Sequence, residues 1–155
     1  MGDTQMKLIT NSQRILAELF KQDFADNEIY SDESQYFEFF SAKNILKNLE
    51  FSDEEIESGV IGSGNDGGCD SIYTLCNNLY ITEDIVETIS PGKEPTIELI
   101  IIQAKRESSF SEDAIMKWKT TVSNLFEIGV DDTQYHARYN EDVLNAFALF
   151  RDLYV

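Results

Sequence analysis

The run Ile97-Glu98-Leu99-Ile100-Ile101-Ile102-Gln103-Ala104 constrains this chain more than any other segment. It is too short for a stable buried helix and too rich in β-branched residues for a loop. It therefore reads as a strand, and its unbroken apolar stretch predicts a central strand covered on both faces. A strand of that kind needs a sheet beside it and helices above and below. Both can be found. Asp70-Ser71-Ile72-Tyr73-Thr74-Leu75 and Leu79-Tyr80-Ile81 flank Asn77-Asn78, two residues that tolerate positive φ, so they read as a hairpin with a tight turn. Val60-Ile61 is a further short strand candidate.

Helical patterns surround these strands. Residues 5–21 place Met6, Ile9, Leu16, Leu19 and Phe20 on one side, with Asp3 or Thr4 as cap. From Asp32 to Leu49, apolar residues including Tyr36, Phe37, Phe39, Phe40, Ile45 and Leu46 cover more than half the circumference, which predicts a mostly buried helix. Ser52-Asp53-Glu54-Glu55 is a capping-box pattern opening a short turn that stops at Gly59. Residues 82–95 read as an exposed connection. Ser111-Glu112-Asp113 starts a helix carrying Ile115, Trp118, Val122, Leu125 and Phe126, and residues 127–139 follow as a polar link. Asn140-Glu141-Asp142 opens a last helix with Val143, Phe147, Phe150 and Tyr154 on one stripe. The expected fold class is α/β: a small mixed β-sheet flanked by helices. The 155 residues suit one domain. Within it, residues 1–50 give N-terminal helices, 60–126 the sheet and its helix, and 140–155 a helix with no C-terminal cap, expected to lead into a further C-terminal region.

Charge narrows the function. With 29 acidic and 12 basic residues, the formal net charge is −17. Such a chain cannot grip a nucleic-acid backbone by bulk electrostatics, so a nucleic-acid role requires a local site, metal ions or a basic neighbour. Cys69 and Cys76 are too few for a disulfide framework. No basic and apolar leader opens the sequence, and no apolar run is long enough to span a membrane. The expected setting is cytoplasmic.

Gly62-x-Gly64-x-x-Gly67 matches dinucleotide-binding spacing, but it leads into Asp70 and a strand rather than into a helix N-terminus, so it is rejected. His136 has no nearby Cys or second His for a zinc site. Cys69 lacks a base near in sequence and reads as packing. Asp66 reads as a turn residue within reach of a second metal, and Lys105-Arg106 as a basic pair able to meet a phosphate. The sharper signal is Asp70 at the head of one strand and Gln103-Ala104-Lys105 at the end of another. Residues two apart on a strand share a face, so Gln103 and Lys105 are expected to point the same way. A carboxylate and an amide oxygen are hard ligands suited to Mg²⁺, and an ammonium beside them can neutralise charge on a phosphoryl group.

Gly64-Asn65-Asp66-Gly67-Gly68-Cys69-Asp70-Ser71-Ile72-Tyr73, followed by Ile100-Ile101-Ile102-Gln103-Ala104-Lys105-Arg106, resembles the Mrr-type branch of the PD-(D/E)xK nuclease superfamily. The sequence is more similar still to the N-terminal region of abortive-infection phage-resistance (AIPR) proteins. That resemblance takes in Glu83-Asp84, Phe110-Ser111-Glu112 and Asn124-Leu125-Phe126, across roughly residues 36 to 126. It implies a restriction-endonuclease-like core and a phosphodiesterase site dependent on Mg²⁺ or Mn²⁺. Asp70 matches the metal-binding Asp, Gln103 the position often held by Glu, and Lys105 the catalytic Lys. The Ala104 carbonyl matches a frequent metal ligand, and Glu38 an acid on the helix before the sheet. The superfamily core runs helix, three strands, helix, strand, and no convincing last strand can be read here. The implied partners are a nucleic-acid substrate, with DNA ahead of RNA, and the protein's own C-terminal region. Homo-oligomerisation is left open. Two other readings compete: an acidic interaction domain or DNA mimic, and a degenerate nuclease fold serving as scaffold or sensor.

Overall fold

The computed structural model describes residues 10–62, 64–90, 92–106 and 111–154. In chain order the elements are α1 (Asn11–Asp26), α2 (Glu33–Ile45), α3 (Asp53–Ser58), β1 (Ser71–Cys76), β2 (Leu79–Ile81), α4 (Glu83–Val86), β3 (Ile97–Ile102), α5 (Glu112–Leu125) and α6 (Glu141–Tyr154), with a 3-10 turn at Asp132–Tyr135 before α6. This is an α/β fold: a three-stranded antiparallel sheet, in the order β2-β1-β3, flanked by helices.

Local chemistry sets most of these boundaries. Ser52 accepts from the Glu55 N–H at 3.1 Å while the Glu55 carboxylate accepts from the Ser52 N–H at 3.0 Å, so the capping box forms. Asn77 and Asn78 take φ of 51° and 66°, the left-handed pair that a two-residue hairpin demands. Asp32, Ser111 and Asn140 cap α2, α5 and α6 with side-chain oxygens. The first helix is capped by Thr10 and Gln13 in a second capping box. The expected start at residue 5, its Asp3 or Thr4 cap, Met6 and Ile9 all lie outside the described residues.

Several expectations are corrected. The sheet is not mixed: every pairing among the described strands is antiparallel. The isoleucine strand β3 is not central. β1 takes the middle, buried along its whole length, whereas Ile97, Leu99, Ile100 and Ile101 of β3 are only half-buried because β3 pairs with β1 alone among the described strands. Val60 makes a single bridge to Ser71 and Val60-Ile61 extends no strand. Residues 82–95 contain a helical turn, α4, where a plain connection was expected. Helix faces also rotate relative to the pattern. Leu16, Leu19, Ile45, Ile115, Phe126 and Tyr154 are exposed, while Ala114, Thr121, Leu144 and Arg151 are buried in their elements.

Alternation along the strands builds two cores, one on each sheet face. Tyr73 and Ile102 face Phe20, Tyr36, Phe39 and Phe40 of α1 and α2. Ile72 faces the opposite way, onto Leu125, Val143, Leu144 and Phe147 of α5 and α6. The candidate site lies at the sheet end where these two layers meet.

Candidate functional site

Asp70 sits just before β1, where three chain segments join. Its N–H donates to the Ile102 carbonyl at 2.9 Å, and its own carbonyl accepts from the Ile61 N–H at 2.9 Å. Its carboxylate Oδ2 accepts from the Ala104 N–H at 2.7 Å. That last bond explains why β3 stops at Ile102 rather than at Ala104. The next rung of the ladder is filled by a side-chain oxygen of Asp70, not by a backbone carbonyl. The acid is thereby held against the Gln103-Ala104-Lys105 segment.

The glycine-rich loop that delivers Asp70 is itself held in place. Asn140 donates through its amide to the Gly62 carbonyl at 3.1 Å and the Gly64 carbonyl at 3.0 Å, and its N–H donates to the Asn65 carbonyl at 2.9 Å. The Thr121 hydroxyl of α5 donates to the Gly67 carbonyl at 2.7 Å. Gly67 has φ of 66°, and a Cβ there would run into the Thr121 side chain and lie 2.9 Å from the Tyr139 ring. Glycine at 67 is thus required by close packing on α5 and by a left-handed turn. Asp66 closes the turn: its carboxylate accepts from the Gly68 N–H at 2.8 Å.

The residues after β3 diverge. The Gln103 amide donates through Nε2 to the Ala114 carbonyl of α5 at 3.1 Å, which directs its nitrogen edge towards that helix. The shared-face expectation for Gln103 and Lys105 assumed a strand through Ala104, and the regular strand ends two residues earlier. Lys105 is exposed, yet close enough to lower the Asp70 pKa. Arg106 turns to the helical layer, where it pairs with Glu33 of α2 and lies over the Phe20 and Phe37 rings, 5.3 and 5.8 Å from their centroids.

Glu38 comes from the opposite layer, on α2, half-buried beside this junction. Burial pushes its carboxyl up to about 7, with Asp70, Asp66 and Asp32 adding in that order. Asp70 is raised to about 6, chiefly by burial. The Ala104 N–H and Lys105 oppose that rise, and Asp66 adds to it. Carboxylates from α2, the glycine loop and the head of β1 thus repel one another at one end of the sheet. Among the described residues, no group of three or more His, Cys, Asp or Glu side chains is arranged to hold a metal ion. Any ion at this junction would have to draw on backbone or amide oxygens as well.

Cys69 is buried and its thiol is pushed up to about 12 by burial, then by Asp66 and Asp70. It stays protonated at neutral pH and is no nucleophile. Lys117 of α5, which opposes that rise, was not singled out by sequence reasoning. Its only signal there is its place next to Trp118, whose backbone packs against Gly68. His136 is exposed at the end of the 3-10 turn. Grooves of about 650 Å³ on the outer side of α1, 270 Å³ between α1 and α2, and 500 Å³ beside β2 and α6 are not lined by Asp70. No helix among the described residues is long and apolar enough to cross a membrane. Neither a protein-family model, nor a curated protein, nor a solved structure matches this chain.

Proposed function

We propose that this chain is the metal-dependent nuclease domain of an abortive-infection phage-defence protein, with a restriction-endonuclease-like core. One observation carries the reading: the 2.7 Å hydrogen bond from the Ala104 N–H to the Asp70 carboxylate. It brings the acid of the glycine-rich turn onto the Gln-x-Lys segment, two motifs separated in sequence by a hairpin and a connection. Apart from the short turn α4 between β2 and β3, the element order α2 and α3, three strands, then α5 follows the superfamily order up to its last strand. That strand is absent among the described residues, and the outer edge of β3 is where one would join.

The donor set suits a hard divalent cation. Asp70 and Glu38 supply carboxylates, Ala104 a carbonyl and Gln103 an amide oxygen, with water completing the shell, as Mg²⁺ prefers. Burial first, and neighbouring carboxylates after it, raise the Glu38 and Asp70 pKa values, and positive charge entering beside the two acids offsets both effects. A bound Mg²⁺ or Mn²⁺ supplies an activated water and stabilises charge on a phosphoryl oxygen. Lys105 is exposed and close enough to act on the Asp70 charge, and in this reading its ammonium meets the scissile phosphate and offsets the charge that develops there. Gln103 is braced by α5 and positions its segment. The net charge of −17 repels that backbone at long range, so productive binding draws on the metal ions and on a basic neighbouring region.

The test is a cleavage assay on single- and double-stranded DNA and on RNA with Mn²⁺ present. Cutting is expected, with loss in chelator. Asp70→Ala should lose both cleavage and metal binding. Lys105→Ala should lose cleavage while retaining metal, because an ammonium is not a ligand. Undiminished cutting by Asp70→Ala, or no cutting of any substrate by the parent, rules the reading out.

A further inference from the structure

Helix α5 meets the candidate site through one face. Ala114, Thr121 and Leu125 are its buried residues. The Ala114 carbonyl accepts from the Gln103 amide at 3.1 Å, and the Thr121 hydroxyl donates to the Gly67 carbonyl at 2.7 Å. Between those two anchors, the peptide joining Lys117 to Trp118 abuts the glycine loop. A Cβ on Gly68 would lie 3.3 Å from the Trp118 nitrogen and 3.4 Å from its Cα. Residues 114, 117 and 121 stand at i, i+3 and i+7, so Lys117 lies on the helix face that carries Ala114 and Thr121. A long helical side chain leans towards the N-terminus of its helix, here towards the turn on which Gln103 is braced. The charge of Lys117 is accordingly felt by Cys69, the neighbour of Asp70.

Charge supplies an independent observation. The chain carries 29 acidic and 12 basic residues, so a lysine has an acid to pair with almost anywhere. Yet Lys117 is exposed and makes no ion pair among the described residues, and the same is true of Lys105. Both stand beside the half-buried acids of the junction, Lys105 after the end of β3 and Lys117 on α5. Half-buried carboxylates suit a cation, and exposed ammoniums around them suit the anion that the cation attracts. Two ammoniums on separate elements can meet successive phosphates of one strand, and such contacts fix its register and direction.

We propose that Lys117 is a substrate-binding residue that contacts a nucleic-acid phosphate next to the scissile one, so that the strand crosses the junction from Lys105 to the exposed side of α5. The identity of the scissile phosphate rests on the nuclease reading; the Lys117 contact is measurable without cleavage. DNA and RNA share this chemistry. A contact away from the reacting atoms is held equally before and during the reaction, so Lys117 acts on KM and leaves kcat alone.

The experiment measures binding of labelled single-stranded DNA, duplex DNA and single-stranded RNA to the full chain by fluorescence anisotropy across a salt series. Ca²⁺ replaces Mg²⁺ so that the strands stay intact, and cleavage with Mn²⁺ is followed in parallel. Lys117→Ala should weaken binding roughly fivefold at ~0.1 M salt. It should also lower the slope of log affinity against log salt by about 0.7 on single strands and 0.9 on duplex. KM should rise by a similar factor with kcat unchanged. Lys117→Arg keeps the charge and should restore both. Lys119→Ala removes the same charge from roughly 200° round the helix and should change binding little. Melting temperature and Mn²⁺ affinity should match the parent in Lys117→Ala, whereas a lysine that only supports the fold would move them. Losses on DNA alone or on RNA alone assign the contact to that strand. Equal losses in Lys117→Ala and Lys119→Ala, an unchanged salt slope, or no binding of any strand would overturn the proposal. A parent that cuts, with Lys117→Ala binding as tightly, removes this proposal and leaves the nuclease reading. A parent that binds without cutting removes the nuclease reading, and the Lys117 losses still decide the contact.

Discussion

The two sheet faces are held by different chemistry. Over one face, α1 and α2 pack rings on rings: Phe20 meets Tyr36, Phe37 and Phe40 at centroid distances of 5.3 to 5.7 Å. Under the other, α5 and α6 enclose a mostly aliphatic core around Phe147 but are fastened by polar side chains. Arg151 is 8% exposed and donates to the Leu125 carbonyl and, at 2.8 Å, to Asp132. Thr121, Asn124 and Asn140 make further bonds to the glycine loop or to Tyr139. Ring packing is non-directional and tolerates small shifts, whereas hydrogen bonds fix a backbone in one place. The layer that delivers Asp66 and Asp70 is the directional one. The ring-packed layer contributes Glu38 from a helix and needs only approximate placement.

Cutting into each layer tests that contrast. Phe147 is fully buried against β1, so Phe147→Ala should cost about 3–5 kcal/mol in urea unfolding. Next comes Arg151→Met, at about 3 kcal/mol, because it strands the Leu125 carbonyl and the partly buried Asp132. High salt should barely alter that loss, since a buried pair is poorly screened. Removing as many atoms from the rim of the ring-packed layer, as in Phe24→Ala, should cost less and leave the pH behaviour of the site intact.

The junction between the layers should show itself in pH. Glu38 and Asp70 have folded-state pKa values of about 7 and 6, raised from ordinary carboxylate values near 4. The folded chain therefore holds protons that the unfolded chain has already released. Without divalent cation, stability should fall as pH rises through that interval and then level off. After allowance for solvent screening of two half-buried groups, the drop is of order 1–2 kcal/mol. Asp70→Asn should remove part of it, and thermal melts across the interval would measure both. Lys43→Ala breaks a solvent-exposed pair and should change stability by no more than about 0.5 kcal/mol.

Local chemistry was legible in the sequence wherever a residue acts on its immediate neighbours. The Asn77-Asn78 turn, the Ser52 and Glu55 box, and the starts of α2, α5 and α6 depend on hydrogen bonds spanning two or three residues. Position within the sheet was not legible. The isoleucine run of β3 announces apolar surroundings, but nothing local says that, among the described strands, β1 takes the centre and β3 an edge. Helix faces misled for a related reason. Leu16, Leu19 and Ile115 fit an apolar stripe, yet about half of each remains exposed, while Thr121 and Arg151 are buried because they serve the glycine loop and the end of α5. For the candidate site, the pairing of Asp70 with the Gln-x-Lys segment followed from reading two strands as neighbours. The way the Asp70 side chain ends β3, and the turn of Gln103 towards Ala114, depend on contacts between distant residues that no spacing encodes.

The central claim is that the end of the sheet attracts a divalent cation. Amide NMR with trace Mn²⁺ tests it directly, because the paramagnetic ion broadens signals within its reach. Broadening centred on Asp70, Ala104 and Glu38, abolished by Asp70→Asn and by excess Mg²⁺, is the predicted result. Broadening that spares these residues, or that persists unchanged in Asp70→Asn, would contradict the account.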